Sequence, residues 1–216
     1  MTKQEIINET IDFVKERMAD DSSGHDWWHV YRVWNMAKKL NKKEGGDLFI
    51  IEMSALLHDV ADWKFNEDEE RGIQLINNWL EQFELSESNI LRILNIIRNV
   101  SFKGAGVKDK MISIEGMIVQ DADRLDAIGA IGIARTFAFG GNFGSPMHNP
   151  EVKAQNHSSF EEYKNAKGTT INHFYEKLLF LKDRMNTNAA KEMAAKRHNY
   201  MENFLKQFYD EWDSIK

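Results

Sequence analysis

Apolar residues recur along this chain every three or four positions, the spacing of helices that bury one face. Ile6, Ile7, Ile11, Phe13, Val14 and Met18 predict a first helix over about 3–19, which Asp20-Asp21-Ser22-Ser23-Gly24 ends. A second runs from about Asp26 to Glu44, with His29, Val33, Met36, Ala37 and Leu40 on its inward stripe and Gly45-Gly46 as its stop. A third spans about 47–60, with Phe49, Ile50, Met53, Leu56 and Leu57 inward, and further helices are predicted over 66–83 and 87–100. The stretch 112–138 is apolar on nearly every face, which normally marks a helix central to its domain. The pattern lapses over 139–159, where GGNFGSPMHNP reads as an irregular loop. Two more helices follow, over about 167–182 and 187–213. With no internal repeat and no linker, the 216 residues read as a single all-α domain.

Composition narrows the chemistry. Two prolines and 13 glycines leave little to interrupt long helices, and the absence of cysteine removes disulfides, thiolate metal sites and cysteine nucleophiles together. A metal in this chain must be held by His, Asp or Glu. The formal net charge of −6 argues against a nucleic-acid surface or an anionic membrane as a partner. The first 18 residues mix charges with apolar positions, unlike a signal peptide or a membrane span, so a soluble, cytoplasmic protein is expected.

The informative histidines stand beside carboxylates. His25-Asp26-Trp27-Trp28-His29 sets two imidazoles four residues apart, on one face if both are helical. His58-Asp59 follows the apolar run MSALL, and Asp123 interrupts the apolar 112–138 stretch. Each has an ordinary explanation alone: a hydrogen-bonded core histidine, a helix-end His with a turn Asp, an Asp paired with Arg124 or Arg135. Together they place polar groups on three apolar helices, and a buried carboxylate costs several kcal/mol unless it is paired or binds a metal. One ion held by two His and two Asp would satisfy all of them. That donor set suits Mn, Fe, Co, Ni, Zn or Mg.

The order H…HD…D, carried by HVYRV, LLHDVADW and DADRLDA, resembles the HD-domain phosphohydrolases from about residue 25 to 135. Longer strings, HDWWHVYRV, HDVADWKF, DADRLDAIGAIGIAR and the tail from HFYEKLL to KRH, resemble the small bacterial YpgQ- and YedJ-like branch over most of the chain. The resemblance implies an all-α HD-domain helical bundle with one central metal, the helices over 167–213 packing on the motif core. It implies His29, His58, Asp59 and Asp123 as the metal ligands, Asp123 being preferred to Asp121 and Asp126 because it lies in A-D-R. Asp62 matches a general acid or base, with the alternative that it orients a ligand histidine. His25 is assigned to proton transfer or phosphate contact.

Phosphoryl transfer also needs cations around the phosphates. Lys64 and Arg124 are preferred because their motifs set them beside ligands; Arg32, His173 and Lys177 are further substrate-binding candidates, and Arg98, Lys103, Lys182 and Arg184 weaker ones. Trp27, Trp28 and Trp63 offer rings for a nucleobase or for the core. GGNFG offers backbone N–H groups to a phosphate, but a plain turn is the preferred reading, since no G-x-x-x-x-G-K-[ST] is present.

The activity this implies is metal-dependent hydrolysis of a nucleotide. In the resembling branch the substrate is a (deoxy)nucleoside triphosphate, cut to monophosphate and pyrophosphate with Mn²⁺. The alternatives are an HD nucleotidase releasing phosphate from monophosphates and a non-catalytic metal- or nucleotide-sensing HD module. A homodimer is allowed, but nothing in the sequence calls for one.

Overall fold

Thr2 caps the first helix in both directions: its hydroxyl accepts from the Glu5 amide, and the Glu5 carboxylate accepts from the Thr2 amide. The computed structural model describes residues 1–19, 26–60, 69–101, 111–155 and 168–214. These form the helices α1 (Lys3–Arg17), α2 (Trp27–Glu44), α3 (Leu48–Leu57), α4 (Glu69–Leu80), α5 (Glu87–Val100), α6 (Ile114–Asp126), α7 (Gly129–Asn142), α8 (Thr170–Glu176) and α9 (Asn188–Trp212). A 3₁₀ segment, Leu178–Arg184, lies between α8 and α9. No strand occurs among the described residues, so the all-α reading holds.

The chain divides into two compact units, Met1–Phe102 with Lys108–Ala122, and Lys103–Val107 with Asp123–Lys216. The first is built around α3, which packs against α1, α2 and α5. Every residue of α3 from Phe49 to Leu57 is buried, including Glu52 and Ser54. The Glu52 carboxylate survives there because the Trp34 indole donates to it at 2.9 Å and the Lys38 ammonium lies 3.4 Å away. The Phe13 and Trp79 rings stack at 4.2 Å between α1 and α4, and the Trp79 indole donates to the Thr10 hydroxyl. The Gln120 amide donates to the carbonyls of Asn99 and Val100, tying α6 to α5. In the second unit α9 packs against α7 and the 3₁₀ segment, and the rings of Phe137, Phe174 and Phe204 meet at 5.9–6.3 Å.

Several predicted boundaries shift. The single helix read over 112–138 is two, α6 and α7, separated at Ala127-Ile128. Gly129 takes φ +78°, a conformation that favours glycine, at the start of α7. The helix buried on every side is α3, from Phe49 to Leu57, rather than the 112–138 stretch. α3 also ends at Leu57, short of the predicted Val60, with His58 as its cap. In the tail, the helix predicted over 167–182 is α8 followed by the 3₁₀ segment.

Candidate metal centre

Asp26, itself in an extended conformation, caps the start of α2: its carboxylate accepts the His29 amide at 3.0 Å. This N-cap bond fixes the first turn of α2 and with it the position of His29. His58 caps the other end of the construction, on α3, with its Nδ1 2.8 Å from the Ala55 carbonyl oxygen. A carbonyl only accepts, so Nδ1 carries the hydrogen and the neutral ring presents a lone pair at Nε2.

The two imidazoles converge. Their Nε2 atoms lie 3.2 Å apart, and Asp59 sets Oδ2 3.2 Å from the His29 nitrogen and Oδ1 3.3 Å from that of His58. Both imidazoles are 1% exposed and the Asp59 side chain 14%, with Oδ2 out of reach of solvent. One ligand atom from each of the three residues falls within 4.8 Å of the other two. With His58 neutral, its Nε2 lone pair and both Asp59 oxygens are acceptors directed at the same small gap. A divalent cation resolves that surplus of acceptors. Ligands at right angles and about 2.1 Å from such an ion stand about 3 Å apart, close to the spacing found. The three residues fit a metal.

A family model for the HD domain matches residues 27–128, a span containing all four predicted ligands. Bacillus subtilis YpgQ is 41% identical over 90% of this chain and 88% of its own length. The chain belongs to the HD-domain family. A solved HD-superfamily hydrolase from Bacillus thuringiensis is 51% identical, with a TM-score of 0.77 over 98% of this chain and 99% of the other. The structure of YpgQ in complex with ADP gives a TM-score of 0.77 at 35% identity, covering 97% and 100%. A structure from Lactobacillus plantarum gives 0.89 at 37% identity, covering 99% and 100%. The protein is thus an HD-superfamily hydrolase, a metal-dependent phosphohydrolase. Among its described residues no helix is long and apolar enough to cross a membrane.

The remaining predicted site residues of this HD hydrolase fall in different places. Asp123 is half-buried on the last turn of α6, in the second unit. Of its neighbours in DADRLD, Asp121 is buried, and Asp126 is ion-paired with Arg135 at 2.9 Å. Arg124 is 2% exposed and its guanidinium donates to the Arg184 carbonyl. His173 and Lys177 lie together at the end of α8, where the Lys177 amide donates to the His173 carbonyl. Burial, reinforced by the Lys177 charge, pushes the His173 imidazole down to about 3. Arg32 is half-buried one turn beyond His29 on α2, and Arg98 is paired with Glu70 on the surface. Trp28 is 60% exposed. Contrary to the loop read over 139–159 and the turn read for GGNFG, α7 continues through Gly140, Gly141 and Asn142, with Gly140 packed closely on Thr170. The turn begins only at Phe143, and Gly144 has φ +68°. His25, Asp62, Trp63, Lys64 and Lys103 lie outside the described residues.

Two contributors were not singled out from the sequence. The Asp26 cap was readable, as an Asp three residues before His29 at a predicted helix start. The Ala55 carbonyl was not, because a backbone acceptor leaves no mark in the residue type.

Proposed function

We propose that this chain hydrolyses a nucleoside triphosphate, a deoxynucleotide in particular, to the monophosphate and pyrophosphate. Water adds to the α-phosphorus, the bond from that phosphorus to the bridging oxygen breaks, and pyrophosphate leaves. The convergence of the His29 and His58 Nε2 atoms on the Asp59 carboxylate carries this reading. The ADP bound in the YpgQ structure supports a nucleotide as the ligand class. The proposed ligands are His29, His58, Asp59 and, from the motif, Asp123, with Mn²⁺ as the working ion. When bound, the ion supplies Lewis acidity toward water and a phosphoryl oxygen.

The chain's own residues do the rest. Asp62, with His25, holds and relays the proton. Lys64, Arg32, Arg124 and Lys177 offset charge on the phosphates, where preorganised cations act most strongly. His173 acts there as a neutral hydrogen-bond donor, since its imidazole is uncharged at neutral pH.

The test incubates metal-stripped protein plus Mn²⁺ with deoxynucleoside and ribonucleoside triphosphates and monophosphates, then resolves the products by ion exchange. Monophosphate with pyrophosphate is the expected result. Phosphate released from monophosphates alone would make the protein a nucleotidase instead. No turnover with any nucleotide or metal would leave a sensing module.

A further inference from the structure

Asp123 occupies the final turn of a helix whose end is tied down at three consecutive polar or backbone positions, all within the second unit. The Arg124 guanidinium donates to the Arg184 carbonyl at the end of the 3₁₀ segment. The Leu125 carbonyl accepts from the Arg197 guanidinium, which reaches it from the middle of α9. The Asp126 carboxylate pairs at 2.9 Å with Arg135 of α7, with only 6% of the Asp126 side chain exposed.

Arg197 is the tie that spans the greatest distance in sequence, and the chain makes room for it. A methyl group on Gly129 would stand 3.0 Å from both Cβ and Cγ of Arg197 and 3.3 Å from Cδ. Glycine at 129 therefore serves two needs, the positive φ of the turn and the passage of the arginine stem. The guanidinium arrives at the carbonyl end of α6, where the helix dipole favours a cation. Asp126 lies close enough to interact electrostatically with it. Arg135, Asp126 and Arg197 thus join α7, α6 and α9 through alternating charges. Residues three apart on a helix sit about 60° apart around its axis, so holding Asp126 also holds the face that displays Asp123.

We infer that Arg197 is a positioning residue for the metal centre: from α9 it fixes the last turn of α6 and the presentation of the Asp123 carboxylate. The inference rests on the reading of Asp123 as a ligand. Outer residues that orient a ligand typically change metal affinity 10- to 100-fold when removed, and that is the size of effect the role requires.

The experiment measures Mn²⁺ affinity of the full chain by competition with a chelator, alongside thermal unfolding and Mn²⁺-dependent turnover. R197M is expected to bind Mn²⁺ at least about 10-fold more weakly, with turnover restored by raised Mn²⁺. R197K, which keeps a donor and the charge, is expected to fall between R197M and the parent. K196M, at the exposed neighbour of Arg197, is expected to bind as the parent does. A folded R197M with affinity within about twofold of the parent overturns the proposal. Should R197M fail to fold, R197Q replaces it, and unchanged Mn²⁺ affinity there has the same meaning. D123N is measured in parallel: if it binds Mn²⁺ as the parent does, the ligand assignment itself fails and takes the proposal with it. A loss in D123N without one in R197M overturns only the role of Arg197.

Discussion

Asp59 is the residue on which the centre turns, because each of its oxygens faces a different imidazole, at 3.2 and 3.3 Å. Removing the carboxylate leaves two buried nitrogens facing each other with no anion to offset a cation. D59A is accordingly expected to abolish both metal retention through gel filtration, measured by elemental analysis, and nucleotide hydrolysis. At this scale the sequence was most legible where a polar residue stood among apolar ones. His29 interrupts an otherwise apolar stripe of α2, and His58-Asp59 closes an unbroken apolar run, so both announced themselves. The lone-pair direction at His58 did not, since it depends on a backbone carbonyl three residues earlier.

At the scale of elements, the centre depends on where helices begin and end. His29 sits in the first turn of α2, held by the Asp26 cap, and His58 is itself the cap of α3. D26A removes the side-chain acceptor for the His29 amide and is expected to cost about 1 kcal/mol of stability. Because the frayed turn is the one carrying His29, weaker metal binding should accompany the lower unfolding midpoint. A midpoint shift with unchanged metal affinity would separate the cap from the centre. Helix existence was legible throughout, since 3.6-residue periodicity depends only on which side chains are apolar. The break between α6 and α7 was not. The apolar pattern runs on through Ala127 and Ile128 to Gly129, and nothing in the period distinguishes a helix that continues from one that stops and restarts at a single glycine.

For the whole molecule, acidity is the revealing variable. His173 ordinarily titrates at 6.5 but is held down to about 3 in the folded protein by burial, with Lys177 adding to the effect. Between these values the unfolded chain takes up a proton that the native one refuses. Stability is therefore full above about pH 6.5 and falls as pH is lowered toward 3, by at most about 1.4 kcal/mol per unit. Denaturant unfolding at pH 7 and 5 is expected to show this slope, and H173Q to flatten it. An equal slope in the variant would assign the acid sensitivity to other groups. No such behaviour was legible in the sequence, where His173 is only one of seven histidines. Its environment is made by packing around α8, which residue types alone do not disclose.

The burial of α3 on every side from Phe49 to Leu57 has a consequence for how this protein can vary through evolution. A helix with one free face tolerates an inserted residue by rotating its new surface toward water. α3 has no such face from Phe49 to Leu57. One added residue between Asp47 and His58 would swing everything beyond it by about 100°, carrying His58 away from His29 and, when placed ahead of Glu52, that carboxylate away from Trp34 and Lys38. Relatives that keep the centre can exchange side chains along this segment, but they must preserve its count: it behaves as a ruler whose length is inherited even where its letters are not.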